Sequence, residues 1–301
     1  MEYALAVDGV TKRFGKHLAV DDLSLRIPKG AIYGFLGPNG AGKTTTIRMV
    51  MGIFHPDQGK IRVLGEPNSP RLKDRLGYLP EEKGLYKKMR AGEIVAYFGM
   101  LKGMDAATAK RRARELLAQF GLGDWIDKRC EVLSKGMGQK VQLLGTILHD
   151  PELVILDEPF SGLDPVNREL MRDTILAMKR NGRTVVFSTH GMHEAQEICD
   201  SIVLIDKGRK IIDGPVSEVR ATGDFGIQIE YDGDPEALRS LRGVRRLNDS
   251  GKQAELFLED GVDPQDVLKI LVGKLRIRRF DIREPSLHEI FVRAVKGKTH
   301  E

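Results

Sequence analysis

Short apolar runs, separated by longer amphipathic segments, recur along residues 3–212. Residues 3–10 and 23–27 alternate apolar and polar side chains as half-buried strands do, and the segment from Lys12 to His17 between them is turn-like. Six further runs have the composition of strands: 31–36, 60–64, 153–156, 184–188, 201–205 and 210–212. The aliphatic and β-branched runs 153–156 and 184–188 suit a parallel sheet that is covered on both faces, and 201–205 with 210–212 predicts a hairpin at the end of the domain.

Helical periodicity fills the intervals between these runs. It predicts helices over 43–51 and 167–180, and two helices within 93–120 that are separated near Gly103. Asp105 is the predicted N-cap of the second of these two, because its carboxylate can accept a hydrogen bond from a first-turn amide. Alternation of strands and helices in this order predicts the α/β class.

A different pattern begins near Ala221. It contains four strand-like and three helix-like segments, in the chain order 227–231, 235–241, 244–247, 254–258, 264–272, 275–282 and 286–294. The order is βαββαβ with one extra helix, which predicts a small ferredoxin-like α+β domain. We therefore predict two domains, 1–220 and 221–301.

The composition indicates the environment in which the protein works. The 301 residues are 41% hydrophobic and 30% charged, with a net charge of +5, which is too weakly basic to indicate a nucleic-acid binder. The two cysteines, Cys130 and Cys199, form no CxxC pair, and a reducing compartment fits best. No apolar run approaches the roughly 20 residues that span a bilayer, and the first residues lack a signal-peptide core. We expect any membrane role to use another chain's helices.

The segment GPNGAGKT, residues 37–44, matches the phosphate-loop pattern GxxxxGK[ST] between a predicted strand and a predicted helix. Backbone amides and the helix N-terminus can surround phosphate oxygens there. Lys43 can pair with the β and γ phosphates, and Thr44 can offer its hydroxyl to Mg²⁺. The predicted nucleotide-binding residues are Gly37, Pro38, Asn39, Gly40, Ala41, Gly42, Lys43, Thr44 and Thr45.

Two acids, Asp157 and Glu158, end the apolar run 153–156. Side chains at the carboxyl end of a parallel strand face the ligand crevice of α/β proteins. Asp157 is then predicted to hold Mg²⁺ through water, and Glu158 to orient and deprotonate the attacking water. The alternative is a surface Asp-Glu turn before Pro159, which the phosphate loop upstream disfavours.

Residues 3–220 resemble the ATP-binding subunits of ABC transporters. LSKGM, residues 133–137, is similar to the LSGGQ signature of that family. The resemblance implies an ABC-type ATPase domain with a mixed sheet and a helical subdomain at about 85–150. It also implies that Ser134, Gly136 and Met137 contact ATP on the opposite subunit. On its own, the segment is better explained by a plain helix N-cap at Ser134. Its position just before the carboxylate strand favours the signature.

Three further positions are similar to family motifs. SGLD, residues 161–164, looks like the D-loop, which places Asp164 among the residues near ATP. His190 looks like the switch histidine that contacts the γ-phosphate. Phe14 stands where the family stacks an aromatic ring on adenine. The alternatives are a core phenylalanine and a structural histidine.

The chain also departs from the family pattern. Glu81 follows Gly77-Tyr78-Leu79-Pro80 where a glutamine is usual, and Lys135 and Met137 replace Gly and Gln of the signature. Glu81 can ligate Mg²⁺ through oxygen, but an ionised carboxylate donates no hydrogen bond. Together with EPSLHEIF at 284–291, these changes resemble the drug- and sodium-exporter (Nat-type) branch, which has a small C-terminal domain.

The resemblance implies a machine of several chains. Two copies form a head-to-tail homodimer around two Mg-ATP molecules, with Glu158, His190 and Glu81 as the catalytic set. ATP hydrolysis would power export through a separate polytopic membrane permease, which would dock near residues 81–100. The protein would be cytoplasmic and peripheral on the inner face of the cell membrane, with no nucleic-acid partner.

Two other functions are possible for such a chain. A soluble ABC ATPase acting on nucleic acid or ribosomes usually has two ATPase units or a long coiled coil, and here there is one phosphate loop without sustained heptads. A monomeric P-loop kinase or GTPase would need an acceptor pocket or a base-reading motif in place of residues 134–137. The arginine-rich run 275–283 lacks aromatic partners for nucleic acid, so we predict a solvated strand face.

Overall fold

The chain forms two compact units. The computed structural model describes residues 2–82, 84–223, 226–259 and 261–297. The units are Met1–Pro215 and Val216–Glu301, and each has a hydrophobic core of its own.

Strands and helices alternate in the first unit. Its strands are β1 (Tyr3–Phe14), β2 (His17–Pro28), β3 (Ile32–Leu36), β4 (Gln58–Val63), β5 (Glu66–Pro67), β6 (Leu76–Leu79), β7 (Leu153–Asp157), β8 (Thr184–Thr189), β9 (Ser201–Asp206) and β10 (Arg209–Pro215). Its α-helices are α1 (Lys43–Val50), α2 (Ala91–Leu101), α3 (Ala106–Gln119), α4 (Lys135–Ile147), α5 (Pro165–Arg180) and α6 (Met192–Ile198). Short 3-10 turns lie at Pro70–Arg75, Gly123–Trp125 and Cys130–Val132.

The central sheet of this unit is mixed, as predicted. Its strand order is β10-β9-β3-β8-β7-β6, in which β10 is antiparallel to β9 and the other neighbours are parallel. Every residue of β3, β7 and β8 is buried. Because all five parallel strands run the same way, the segments that follow β3, β7 and β8 emerge at one edge of the sheet.

The second sheet of the first unit is antiparallel, with the order β2-β1-β4-β5. The predicted turn over 12–17 is mostly strand, since β1 and β2 pair until Phe14 faces His17. Only Gly15 and Lys16 form the turn. Two-residue turns suffice for antiparallel hairpins, and cross-strand backbone hydrogen bonds form equally well beneath exposed polar side chains.

Helices α2, α3 and α4 surround a separate small core that includes Ile94, Ala113 and Leu144. Helix α3 begins after Asp105, whose Oδ1 accepts a hydrogen bond from the Thr108 amide at 2.9 Å. The predicted N-cap is therefore confirmed. This hydrogen bond also lowers the pKa of Asp105.

The second unit has the ferredoxin-like arrangement. Its elements are α7 (Val216–Ala221), β11 (Gly226–Asp232), α8 (Glu236–Arg239), β12 (Val244–Asp249), β13 (Gln253–Leu258), α9 (Pro264–Val272), β14 (Arg276–Arg283) and α10 (Leu287–Gly297). The sheet order is β12-β13-β11-β14, with all neighbours antiparallel. This is the order of two interleaved βαβ halves, as the sequence predicted.

Strand β14 carries the arginine-rich run. Three of its four arginines form ion pairs within the same sheet: Arg278 with Asp232 at 2.8 Å, Arg279 with Asp281 at 2.6 Å and Arg283 with Glu255 at 3.6 Å. Arginines neutralised in this way offer little net positive charge to a phosphate backbone. Among the described residues, no helix is long and apolar enough to cross a membrane.

Replacement of Asp105 by alanine removes the oxygen that caps α3. We expect the free energy of unfolding to fall by about 1 kcal/mol, because the Thr108 amide loses its acceptor. Urea denaturation followed by circular dichroism measures the change. Asp124→Ala is the matched control, since Asp124 is exposed and forms no hydrogen bond with another described residue. Equal losses in the two variants would contradict the capping role.

Candidate functional site

The glycine-rich turn lies between the end of β3 and the start of α1. Gly42 has φ +103°, and a Cβ at this position would lie 2.5 Å from the carbonyl oxygen of Ala19. Only glycine fits both the conformation and the space. Because α1 begins at Lys43, the amides of Thr44 and Thr45 belong to the first turn and have no acceptor within the helix. They are available to an anion.

Lys43 points back across this turn. Its side chain is only 6% exposed, and Nζ donates to the carbonyl oxygens of Gly37 at 2.7 Å and Pro38 at 3.2 Å. The same Nζ lies 3.5 Å from Glu158 Oε1. The ammonium group is therefore fixed between the turn and the end of β7.

Asp157 is the last residue of β7 and is buried. Thr44 Oγ1 donates to its Oδ1 at 3.2 Å, and Ser188 Oγ donates to the same oxygen. Asp157 Oδ2 is buried and accepts no hydrogen bond from any described residue. The Thr44 hydroxyl and the Asp157 carboxylate, whose Oδ2 is unpaired, are oxygen ligands of the kind that Mg²⁺ prefers.

Glu158 has a left-handed backbone, with φ +50°, which is strained for a non-glycine residue. Three contacts hold it there. Its amide donates to Ser188 Oγ at 2.9 Å, its Oε2 lies 3.0 Å from His190 Nδ1, and its Oε1 faces Lys43. Observed strain of this kind is typical of functional positions. The His190 side chain is 61% exposed, so one side of the ring stays open.

A cavity of about 310 Å³, here called the phosphate cavity, joins most of these groups. It is lined by Phe14, His17, Ala19, Asn39, Gly40, Ala41, Gly42, Lys43, Thr44, Thr45, Glu81 and Glu158. The Phe14 ring is half-exposed and has an edge contact with Phe54, at 5.3 Å between centroids. An exposed ring beside a phosphate-binding turn is available for stacking.

A second cavity of about 150 Å³, here called the carboxylate cavity, is lined by Leu79, Pro80, Glu81, Lys135, Gln139, Gln142, Asp157, Glu158 and Ser161. Glu81 and Glu158 line both cavities. Tyr78, next to this group, has a raised pKa, first because it is partly buried and then because of the Asp157 charge.

Eight predicted site residues lie outside the lining of the phosphate cavity: Gly37, Pro38, Ser134, Gly136, Met137, Asp157, Asp164 and His190. The signature and D-loop residues among them have contacts of their own. Ser134 caps α4, and its Oγ accepts from the Met137 amide at 3.3 Å; Gly136 lies in the same first turn. Asp164 caps α5 and accepts from the Asn167 amide at 3.0 Å, which lowers its pKa. Both N-cap side chains thus have local partners in this chain. Their roles toward ATP remain predictions.

Ser188 is a site residue that the motif analysis missed. It is fully buried at the end of β8 and is the register neighbour of Asp157. Its hydroxyl contacts both the Asp157 side chain and the Glu158 amide. A serine directly after the apolar residues 185–187 was the available signal, since buried hydroxyls require hydrogen-bond partners.

Comparisons with known proteins agree with this geometry. Residues 20–161 match the sequence model of the family "ABC transporter", and residues 214–295 match "ATP-binding protein DrrA1-3-like, C-terminal domain". The predicted ABC ATP-binding domain with an exporter-type C-terminal domain is thereby confirmed.

Similar proteins cover nearly the whole chain. An uncharacterized ABC transporter ATP-binding protein of Bacillus subtilis, YhaQ, is 40% identical over 99% of this chain and 100% of its own length. The Nod factor export ATP-binding protein I of Ralstonia nicotianae is 33% identical over 96% and 92%. A solved ATP-binding subunit of an ABC transporter has a TM-score of 0.67 and 30% identity, covering 72% of this chain and 92% of that one.

Replacement of Ser188 by alanine tests how Asp157 and Glu158 are held. We expect the free energy of unfolding to fall by about 1–3 kcal/mol, because a buried amide loses its acceptor and a buried carboxylate loses a donor. Ser188→Thr retains the hydroxyl and should lose less. Ser217→Ala, at an exposed serine, is the control. A Ser188→Ala protein as stable as the control would show that these bonds contribute nothing.

Proposed function

The chain belongs to the family of ABC transporter ATP-binding proteins, which are ATPases, and we propose that it hydrolyses Mg-ATP between two copies of itself to power export through a separate membrane permease. The observation that carries this proposal is the cluster of Lys43, Glu158 and His190 beside the glycine-rich turn. It combines an ammonium for phosphates, a buried carboxylate and an imidazole within contact distance.

Lys43 and the amides of Thr44 and Thr45 would bind the phosphates, and Phe14 would stack on adenine. Mg²⁺, when bound with ATP, supplies positive charge at the phosphate oxygens. Thr44, Asp157 and Glu81 are the residues proposed to hold it, and the unpaired Asp157 Oδ2 supports that assignment.

Glu158 would act as the general base toward the attacking water. Its carboxylate is 8% exposed, so few water molecules compete for it. His190 fixes one carboxylate oxygen and leaves the other, Oε1, without a hydrogen bond. An oriented carboxylate oxygen of this kind can take a proton from water. The exposed side of His190 is then available to the γ-phosphate.

A second copy of the chain would complete the site. Ser134, Gly136, Met137 and Asp164, which line neither cavity of their own chain, are assigned to the site of a partner copy. Ser134 and the first turn of α4 provide a hydroxyl and free helix amides, a combination that binds anions. In a head-to-tail dimer, ATP would be held by Lys43 on one side and by Ser134 on the other.

The membrane partner is proposed to dock near residues 81–100, on the cytoplasmic face of the membrane. Tyr86 in this segment is 58% exposed and has an edge contact with Tyr97. Exposed aromatic rings of this kind suit a protein interface. Export as the direction is supported by the relative described as a Nod factor export protein. None of the comparisons supports the alternative partner, nucleic acid or ribosomes.

Replacement of Glu158 by glutamine tests the general base and the dimer together. We expect turnover of ATP to fall by about 10²–10⁴-fold, because an amide cannot accept the proton of the attacking water. ATP binding should persist, and Mg-ATP should convert the variant to dimers that light scattering detects. Exposed Glu218→Gln is the control. Near-normal turnover in Glu158→Gln would contradict the base assignment, and a monomer with bound ATP would contradict the shared site.

Replacement of Tyr86 by aspartate tests the docking segment. The wild-type chain should co-purify from detergent extracts with an integral membrane protein of several spans, identified by mass spectrometry. Tyr86→Asp should lose this protein, because a charge replaces an apolar contact, and should keep its own ATPase rate. Tyr3→Asp, at another exposed tyrosine, is the control. Nuclease-sensitive co-purification with RNA or DNA would favour the alternative function.

A further inference from the structure

Lys135 extends from the first turn of α4 onto the D-loop of its own chain. A Cβ built on Gly162 would overlap Lys135 Nζ and would lie 2.6 Å from Lys135 Cε. Gly162 has φ +66°, so the D-loop at this point has both the backbone and the open space that a glycine provides. The lysine side chain occupies that space.

Two more contacts join the same surfaces. Gln139, one turn after Lys135, donates from Nε2 to the Pro159 carbonyl oxygen at 2.7 Å. A Cβ at Gly136 would lie 2.7 Å from Asn167 Nδ2, just beyond the D-loop. The first turns of α4 therefore pack on the segment that connects β7 to α5. The contacts at Pro159 and Asn167 lie on either side of the D-loop, so Lys135 extends from a helix that already packs on its flanks.

Charge gives Lys135 a second role. Three carboxylates, those of Glu81, Asp157 and Glu158, line the carboxylate cavity, and Lys135 is the one cation among its described lining residues. Lys135 forms no ion pair with any described residue. Lys135 therefore shares this cavity with all three carboxylates and is paired with none of them. Charges several ångströms apart still interact appreciably near a protein surface.

Glu81 and Lys135 are also the positions at which this chain adds charge to the motifs it resembles. A glutamine at 81 and a glycine at 135 would both be neutral, whereas here an extra negative and an extra positive charge face one cavity. Opposite charges added at one site offset each other, and either one alone would leave the site unbalanced.

We propose that Lys135 is a positioning residue for ATP hydrolysis: seated over Gly162, its ammonium offsets the charge of Glu81 and holds the D-loop against the signature helix of the same chain. The inference deepens the proposed function and rests on it for the catalytic use of the D-loop. The contact itself is a property of the single chain. The signature segment and the D-loop would consequently move as one body when the dimer forms.

Hydrogen exchange on the nucleotide-free full chain tests the seat of Lys135 directly. The Ser161 and Leu163 amides donate to Glu158 and Phe160 carbonyls at 3.1 and 3.3 Å, and they report on the D-loop turn. In Lys135→Met, we expect the hydrogens of these two amides to exchange with solvent about three- to ten-fold faster than in the wild type. Lys135→Arg should remain near wild type, as should the control Lys110→Met, at an exposed position of α3. Unchanged exchange in Lys135→Met would overturn the proposal.

A double-mutant cycle tests the charge balance. We expect Glu81→Gln and Lys135→Met each to lower kcat about five-fold with KM for ATP unchanged. The double variant should return to within about two-fold of wild type, because it restores the balance. Single losses that multiply in the double variant, or single variants that match wild type, would overturn the role of Lys135. A failure of the proposed function would be seen in a different experiment, in which Glu158→Gln chains would remain monomeric with ATP.

Discussion

The ion pair between Lys43 and Glu158 connects the phosphate-binding turn to the end of β7, and both side chains are more than nine-tenths buried. A buried charge without a partner is strongly destabilising, so each of these two needs the other and needs further contacts. Lys43 has the carbonyl oxygens of Gly37 and Pro38. Glu158 has His190 at its side chain and Ser188 at its amide. Three strand ends must therefore adjoin before the site is stable.

The strand order satisfies this requirement. In the sequence of neighbours β3-β8-β7, Leu36 is level with Thr189, and Asp157 is level with Ser188. Because the three strands are parallel, the glycine-rich turn, the two acids and His190 follow their ends at one edge of the sheet. The full burial of these strands fixes their register, since a slip by one residue would exchange the faces that their side chains occupy. Packing of the sheet thus sets the distances of the site.

Much of this arrangement was predictable from the sequence because its strongest signals are local. The phosphate turn, the acids after 153–156 and the histidine after 184–189 each combine a strand pattern with a chemical group. The βαββαβ order of the second unit was predictable for the same reason. Strand β6 was missed as a strand because its run of four residues, interrupted by Gly77, is too short to show a period.

Contacts between segments far apart in the chain were beyond such reasoning. Nothing local to Ser188 shows that Asp157 is its neighbour, and nothing local to Lys135 shows that Gly162 leaves space for it. Both became visible only when the strand register and the position of α4 were known. Glycines reveal such contacts in a structure, because another group can occupy the space that a Cβ would fill.

The left-handed backbone of Glu158 explains why several weak contacts converge on one residue. A conformation of this kind costs on the order of 1–3 kcal/mol and persists only where the surroundings determine it. A single neutral hydrogen bond contributes about 1 kcal/mol, which is insufficient alone. The Ser188 bond, the His190 contact and the Lys43 ion pair all act on this one residue and together oppose the cost. With this left-handed backbone, the carboxylate of Glu158 lines both cavities. In an extended strand, the side chain after Asp157 would point to the opposite face of the sheet. The orientation of the Glu158 carboxylate is therefore maintained in part by Lys43 and His190, two of the groups that are proposed to contact the phosphates.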